Sequence, residues 1–338
     1  MRRRAGRSTG AAARPGMARK TQSRQARDES VTQPVAFSIR TALMRLLKLE
    51  TILVATDLTE TSTGAIVTAT RLADAAGATL HVAHVAPGED ELSAAAGRRA
   101  EYEQEIEKAI DPAGTTRPQR HLIFGEPARA IASLAGKVNA DVVVLGRRRE
   151  TARPASARPV GSTAYAFVTH TLVPVLVVVQ PLSIPMHNAL VAVDASEAAR
   201  GSLLVAVSWS SALRERGPTT AGLRVLHVDT GADPSEQSAQ MRRSAAHDAE
   251  VLQRNAAGWA GVTVERLTVT NPDPAAAISQ HAIDSGAELV ILGTRASAEH
   301  GLSIWGSVSA AVTRQLSIPI LLVPHAVWRH HVRDVDPF

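Results

Sequence analysis

The chain has 338 residues, 45% of them apolar and only 3% aromatic, and it has no cysteine. That composition is globular and large enough for two domains; it excludes disulfides, thiolate chemistry and cysteine-based zinc sites, and lacks the stacking platforms that single-strand nucleic-acid binding needs. The net charge of +5 is uneven, because residues 1–48 hold 12 Lys/Arg against 2 Asp/Glu while the remaining 290 hold 25 against 30, so the high pI belongs to the start of the chain and is no argument for DNA binding by the rest.

Residues 1–48 read as a disordered basic extension. No uninterrupted apolar stretch follows its basic residues as a secretory signal would require, and no apolar run in the chain approaches the roughly 20 residues of a membrane span. Met44 stands just before the first strand and would make a natural start, so residues 1–43 are read as a basic arm or as a mis-assigned start. With no cysteine and no signal, a cytoplasmic setting is the expectation.

From residue 51 the pattern is regular. TILVAT at 51–56 is a short β-branched run, a buried strand ending at Asp57. Residues 60–76 carry Ile66, Ala69, Leu72 and Ala73 on one helical face, with Gly77 as the stop. A strand follows at 79–85, a charged helix at 89–110, a strand at 120–124, a helix after Pro127 and a strand at 141–145. Gly146 opens a basic loop, a helix follows Gly161, and a strand at 174–179 closes the first half. The order then restarts, with strands at 189–193, 223–228, 262–269, 288–292 and 319–323 and helical patterns between them. Strict alternation with continuous apolar strands predicts an α/β fold whose parallel sheet is covered by helices on both faces.

The two halves are a repeat. Asp57 and Asp194 lie 137 apart, His84-Val85 and His227-Val228 143, Gly146 and Gly293 147, and Gly161-Ser162 and Gly306-Ser307 145. The predicted domains are 49–180 and 188–324, with a tail at 325–338. The linker QPLSIPMHN at 180–188 is short and holds two prolines, so the domains are expected to pack as a fixed pair.

The candidate site is clearest in the second half. Strand 288–292 ends in Gly293-Thr294-Arg295-Ala296; nine residues later Gly306-Ser307-Val308 opens a helix. A bare backbone, the free N–H groups of a first helical turn and a nearby hydroxyl form an anion site. Asp194, at the edge of the repeat's first strand, suits a ribose or adenine donor where a doubly wound sheet binds its ligands. A glycine after a strand and a Gly-Ser before a helix also serve turns and caps in many α/β proteins; two instances at matching positions, each with a strand-edge Asp, argue for a shared fold and leave the ligand site and the turn-and-cap role both open. The histidines His84 and His227 are placed at strand ends facing the pocket edge, and read as packing residues. The His325, His330, His331 group reads as a solvated terminus. The chain has no nucleophile elbow and no Walker A lysine.

The pattern Gly-x-x-Gly-x9-Gly-Ser/Thr, with an Asp after the first strand, resembles the ATP-binding signature of universal stress proteins. VATD and VAVDASE, the HV pairs, Gly125-Glu126-Pro127 and the closing Pro-Val-Leu-Val-Val carry the resemblance further. It implies two tandem doubly wound five-stranded sheets of adenine nucleotide alpha-hydrolase-like type, in strand order 3-2-1-4-5. It also implies a nucleotide site at Asp194, Val228, Gly293, Thr294, Arg295, Gly306, Ser307 and Val308, and another at Asp57, Val85, Gly146, Arg147, Gly161, Ser162 and Thr163. The ligand implied is ATP or another adenine nucleotide, with Mg as its companion and no protein metal site. Because members of the family dimerise through the last strand, the two repeats are expected to pair at 174–179 and 319–323, with a further homodimer allowed. Two departures stand out. Ala296 replaces the middle glycine of the second repeat, and the first has Arg149 there, with eleven residues before Gly161 in a loop of five arginines. The reading is a nucleotide-responsive stress regulator acting through an unidentified protein partner, without catalysis. Its alternative is an interaction module that keeps the fold and has lost the ligand; an enzyme is the least favoured.

Overall fold

The alternation of β-branched runs with Ala-rich amphipathic stretches folds, in the computed structural model, into one continuous sheet. The structure describes residues 49–86, 96–110, 117–147, 167, 171, 173–194, 196–215, 220–231, 239, 240, 243, 247, 250, 261–294 and 306–325. In the first repeat the elements are β1 (Thr51–Thr56), α1 (Glu60–Ala76), β2 (Thr79–Ala86), α2 (Ala96–Ala109), β3 (Gln119–Phe124), α3 (Pro127–Lys137), β4 (Val142–Gly146) and β5 (Val175–Val178). In the second they are β6 (Asn188–Val193), α4 (Glu197–Ala212), β7 (Ala221–Asp229), β8 (Val262–Thr270), α5 (Pro274–Asp284), β9 (Leu289–Thr294), α6 (Ser307–Gln315) and β10 (Ile320–Pro324). The extension, part of the helix expected at 89–110, the arginine loop and most of the helix expected after Gly161 lie outside the described residues.

The ten strands run in the order β3-β2-β1-β4-β5-β10-β9-β6-β7-β8. Each half therefore has the expected 3-2-1-4-5 order. All pairings are parallel but one: β5 and β10 meet antiparallel, with Leu176 opposite Leu321. Those two residues are repeat counterparts, so a pseudo-twofold axis passes between them and the two sheets become one.

Strand alternation feeds two cores. Ile52, Val54, Ala189 and Val191 pack with Ile66 and Leu72 of α1 and Leu203 of α4 on one face. Leu53, Val143, Leu190 and Val290 pack with Ile131 of α3, Ile278 of α5 and Val312 of α6 on the other. Gly77 ends α1 in the left-handed conformation at φ 67°, its N–H on the Ala73 carbonyl, the role its place in the sequence predicts.

The connection between the repeats is itself core. Leu182 and Met186 are fully buried. The Leu182 N–H donates to Thr68 Oγ1 of α1 at 3.0 Å, and the Met186 N–H donates to the Leu213 carbonyl after α4 at 2.7 Å. A linker tied to both repeats cannot act as a tether.

Two local expectations need correction. The strand expected to end at residue 292 continues through Gly293 and Thr294, because β10 extends the ladder far enough to pair them with Val323 and Pro324. His227 does not face the pocket. Strand alternation sends it to the opposite face of β7 from Leu226 and Val228, and its Nδ1 bonds the Val193 carbonyl at 3.1 Å. The His84 ring does the same with the Thr56 carbonyl at 2.9 Å. Both imidazoles tie neighbouring strands together just before the strand-edge aspartates.

Candidate functional site

In each repeat the chain leaves its first strand toward one side of the sheet and later returns to the other. In the second repeat this leaves β6 between β7 and β9. Helices leave such a sheet in opposite directions at this point, and a crevice opens at the C-terminal strand ends. A cavity of about 310 Å³ lies there, lined by Asp194, Val228, Gly293, Gly306, Ser307 and Val308 among others. That volume is at the lower end of the range typical of ligand pockets, roughly 300–1,000 Å³.

Asp194 is held by its own turn. Its Oδ1 accepts the Ser196 backbone N–H at 3.0 Å and also the Ser196 hydroxyl; Ser196 Oγ in turn caps α4 by accepting the Ala199 N–H at 3.3 Å. The carboxylate thus turns the chain into α4 while lining the cavity. Asp57 does the same in the first repeat, its Oδ1 accepting the Thr59 N–H at 3.0 Å and the Thr59 hydroxyl at 2.7 Å. Burial alone would raise the Asp57 pKa, but hydrogen bonds from Thr59 and Ser62 outweigh it and hold the carboxyl below its ordinary value.

The opposite wall is the start of α6. Three other helices begin with a side-chain cap, while α1, like α6, has none. Glu126 accepts from Ala128 and Arg129 at α3, Ser196 from Ala199 at α4, and Asp273 from Ala275 and Ala276 at α5. Helix α6 begins at Gly306 with no side-chain cap, so its first N–H groups face the cavity with their partial positive charge. Among the described residues, a Cβ on Gly306 would meet only Ser309 Oγ, at 3.9 Å, so none of them requires glycine there. Ser309 fixes the turn, its hydroxyl donating to the Gly293 carbonyl at 3.0 Å.

Gly293 is glycine for a different reason. A Cβ there would meet the Ala198 carbonyl carbon and oxygen at 3.0 Å and its Cβ at 3.1 Å. Without a side chain, the first turn of α4 can lie directly on the end of β9.

Six of the eight residues expected in the second site therefore share one cavity. Thr294 does not line it; its hydroxyl is buried without a hydrogen-bond partner among the described residues. Arg295, like Ala296, lies outside the described residues. In the first repeat Asp57, Val85 and Gly146 occupy the matching strand ends, while Gly161, Ser162 and Thr163 lie outside the described residues. Arg147 is placed differently. Its guanidinium donates across the repeat boundary to the Leu316 carbonyl at the end of α6. Ala198, Thr230 and Ser309 line the second cavity without having been singled out in the sequence. Small and hydroxyl residues of this kind give no periodic signal, although Ser309 lies one helical turn after Gly306.

Among the described residues the other ionisable groups form no second centre. Buried His81 and half-buried His121 stack with centroids 5.1 Å apart and share a 2.8 Å contact from Nδ1 to Nε2. Burial lowers both pKa values, and the His81 charge lowers that of His121 further. Among the described residues no group of three His, Asp or Glu is placed to hold a metal, and no helix is long and apolar enough to cross a membrane. His325 is half-buried just after β10, and His330 and His331 lie outside the described residues.

Residues 48–179 and 186–324 each match the model of the universal stress protein family. Universal stress protein G of Shigella flexneri is 35% identical over 114 residues, covering 29% of this chain and 76% of that protein. The crystal structure of a universal stress protein from Archaeoglobus fulgidus matches 82% of this chain and 97% of its own at 21% identity, with TM-score 0.56. A putative universal stress protein from Pseudomonas aeruginosa matches 86% of this chain and 99% of its own at 14% identity, with TM-score 0.54.

Proposed function

The chain belongs to the universal stress protein family, present twice in tandem, and on that premise we propose that its second repeat binds an adenine nucleotide and that the bound state regulates contacts with another protein. One observation carries the reading: at the switch point of the second repeat, Asp194 faces the uncapped N-terminus of α6 across the cavity. A helix start of nine residues with no cap favours a phosphate. Leu226, Val228 and Ile278 provide apolar wall for a base, and Asp194 can accept from a ribose hydroxyl or an adenine amino group.

The same residues favour binding without turnover. Asp194 is the only carboxylate among the described residues lining the cavity, and its Oδ1 is committed to the turn. A magnesium ion arriving with ATP would be held by phosphate and water, not by a protein cage.

For the first repeat the alternative, a domain that contributes contacts and no ligand, is favoured by Arg147, whose guanidinium is engaged with the other repeat. Calorimetric titration of the full chain with Mg-ATP tests the reading, with Gly306→Ala and Ser307→Ala as controls. Saturable binding weakened by either substitution is expected; no binding at millimolar ATP would remove the proposal.

A further inference from the structure

Helix α6 is held at both ends, by different repeats. At its N-terminus Ser309 of the first turn bonds the Gly293 carbonyl of its own repeat. At its C-terminus the Leu316 carbonyl accepts from Arg147 of the first repeat. Arg147 directly follows Gly146, the last residue of β4, and its own N–H donates to the Val178 carbonyl of β5 at 2.7 Å. The guanidinium therefore extends from the end of the first repeat's glycine strand to the far end of the helix whose start faces the second cavity.

The arrangement has a direction. The counterpart of Arg147 in the second repeat is Thr294, and the counterpart of Leu316 in the first is Thr171. The asymmetry lies on the donor side: the buried Thr294 hydroxyl has no partner among the described residues. Threonine is several atoms shorter than arginine. Of the two symmetry-related links, only the one from Arg147 is formed among the described residues.

We propose that Arg147 is a positioning residue that couples the repeats, holding the C-terminal end of α6 so that a phosphate at its N-terminus and the conformation of the first repeat's glycine strand affect each other. A cation at a helix C-terminus and an anion at its N-terminus act on the same dipole, and each favours the ordered helix. Coupling of this kind is reciprocal: the factor by which the Arg147 contact tightens nucleotide binding is the factor by which nucleotide tightens the contact. The nucleotide half of this inference rests on the function proposed above; the hold on α6 does not.

The test uses the full chain with Arg147→Met, which keeps the aliphatic stem and removes the donor, and Arg147→Lys, which keeps a charged donor. Amide hydrogen exchange is followed without nucleotide, then Mg-ATP affinity is measured by calorimetry. In Arg147→Met the amides of 312–316 should exchange about two- to five-fold faster, with β1 and β7 unchanged, and the Kd for ATP should weaken by a similar factor. Arg147→Lys should restore most of both. Faster exchange spread evenly over both repeats would reduce Arg147 to interface packing and overturn the inference. Unchanged α6 exchange would overturn it as well. If the native chain binds no ATP, the nucleotide reading and the coupling built on it fail together, and the exchange data still decide the hold.

Discussion

Gly293 and Gly306 look alike in the sequence, but they should respond oppositely to the same substitution. Gly293→Ala places a methyl 3.0 Å from the carbonyl carbon and oxygen of Ala198 and 3.1 Å from its Cβ. Two of the three obstacles are backbone atoms in the first turn of α4, which can move only if the helix shifts on the sheet. Overpacking of this kind costs about 1–3 kcal/mol. Gly306→Ala meets a single side-chain oxygen at 3.9 Å, at φ −55° and ψ 143°, which any residue adopts. Its cost is that of a poorer helix cap, at most about 1 kcal/mol. Urea unfolding measures both costs, as a lower midpoint at constant slope for Gly293→Ala and a near-native midpoint for Gly306→Ala. ATP affinity should show the reverse emphasis, with Gly306→Ala weakening binding while the fold persists. If Gly293→Ala left stability unchanged and removed only nucleotide binding, the packing explanation of that glycine would be wrong.

Further outcomes follow from the same geometry. Asp194→Ala removes a charged acceptor at the cavity wall and should weaken ATP by about tenfold or more, read by calorimetry. Glu126→Ala removes the acceptor for the Ala128 and Arg129 N–H groups, 3.1 and 2.8 Å away; it should cost about 1 kcal/mol in urea unfolding and leave ATP affinity unchanged. Acid should weaken the first repeat through His81 and His121. Their folded pKa values lie below the ordinary 6.5, so the unfolded chain takes up protons first. Stability should therefore be level above about pH 6.5 and fall as the pH drops through the folded values. Urea midpoints at about pH 7.5 and 5.5 measure this, and His121→Gln should flatten the difference. Asp57 acts in a separate window. Its pKa is depressed from 3.8, so its contribution is present above that pH and is lost only as the pH falls further.

Much of the fold is legible because β-strands buried on both faces must be apolar throughout, and the repeat supplies each reading twice. The 3-2-1-4-5 order and the edge pairing come from the family resemblance, and both are found. What local pattern cannot provide is which side-chain-free backbone touches which neighbour. Gly293 reads as a phosphate glycine because glycine permits close approach; the sequence does not reveal that the approaching group is Ala198. The helix start at Gly306 is legible for the opposite reason, since the absence of a capping side chain is visible in the residue type. The face of His227 is not legible because one step along a strand reverses the face, and a strand end read to within a residue leaves the face open. The Arg147 contact with Leu316 is not legible because its partner is 169 residues away. Leu182 and Met186 lie in a segment too short to show any period, so their burial leaves no trace in the pattern.

The antiparallel seam between β5 and β10 has one more consequence. When two separate chains meet at a twofold axis, every interface residue occurs twice, and a change that suits one side is imposed on the other. The seam also comes apart on dilution. Fusing the halves through a buried connection makes the encounter intramolecular, so pairing no longer depends on protein concentration. Each side of the seam is then free to change alone. An arginine at 147 with a threonine at its repeat counterpart, 294, is a sequence that a homodimer could not encode.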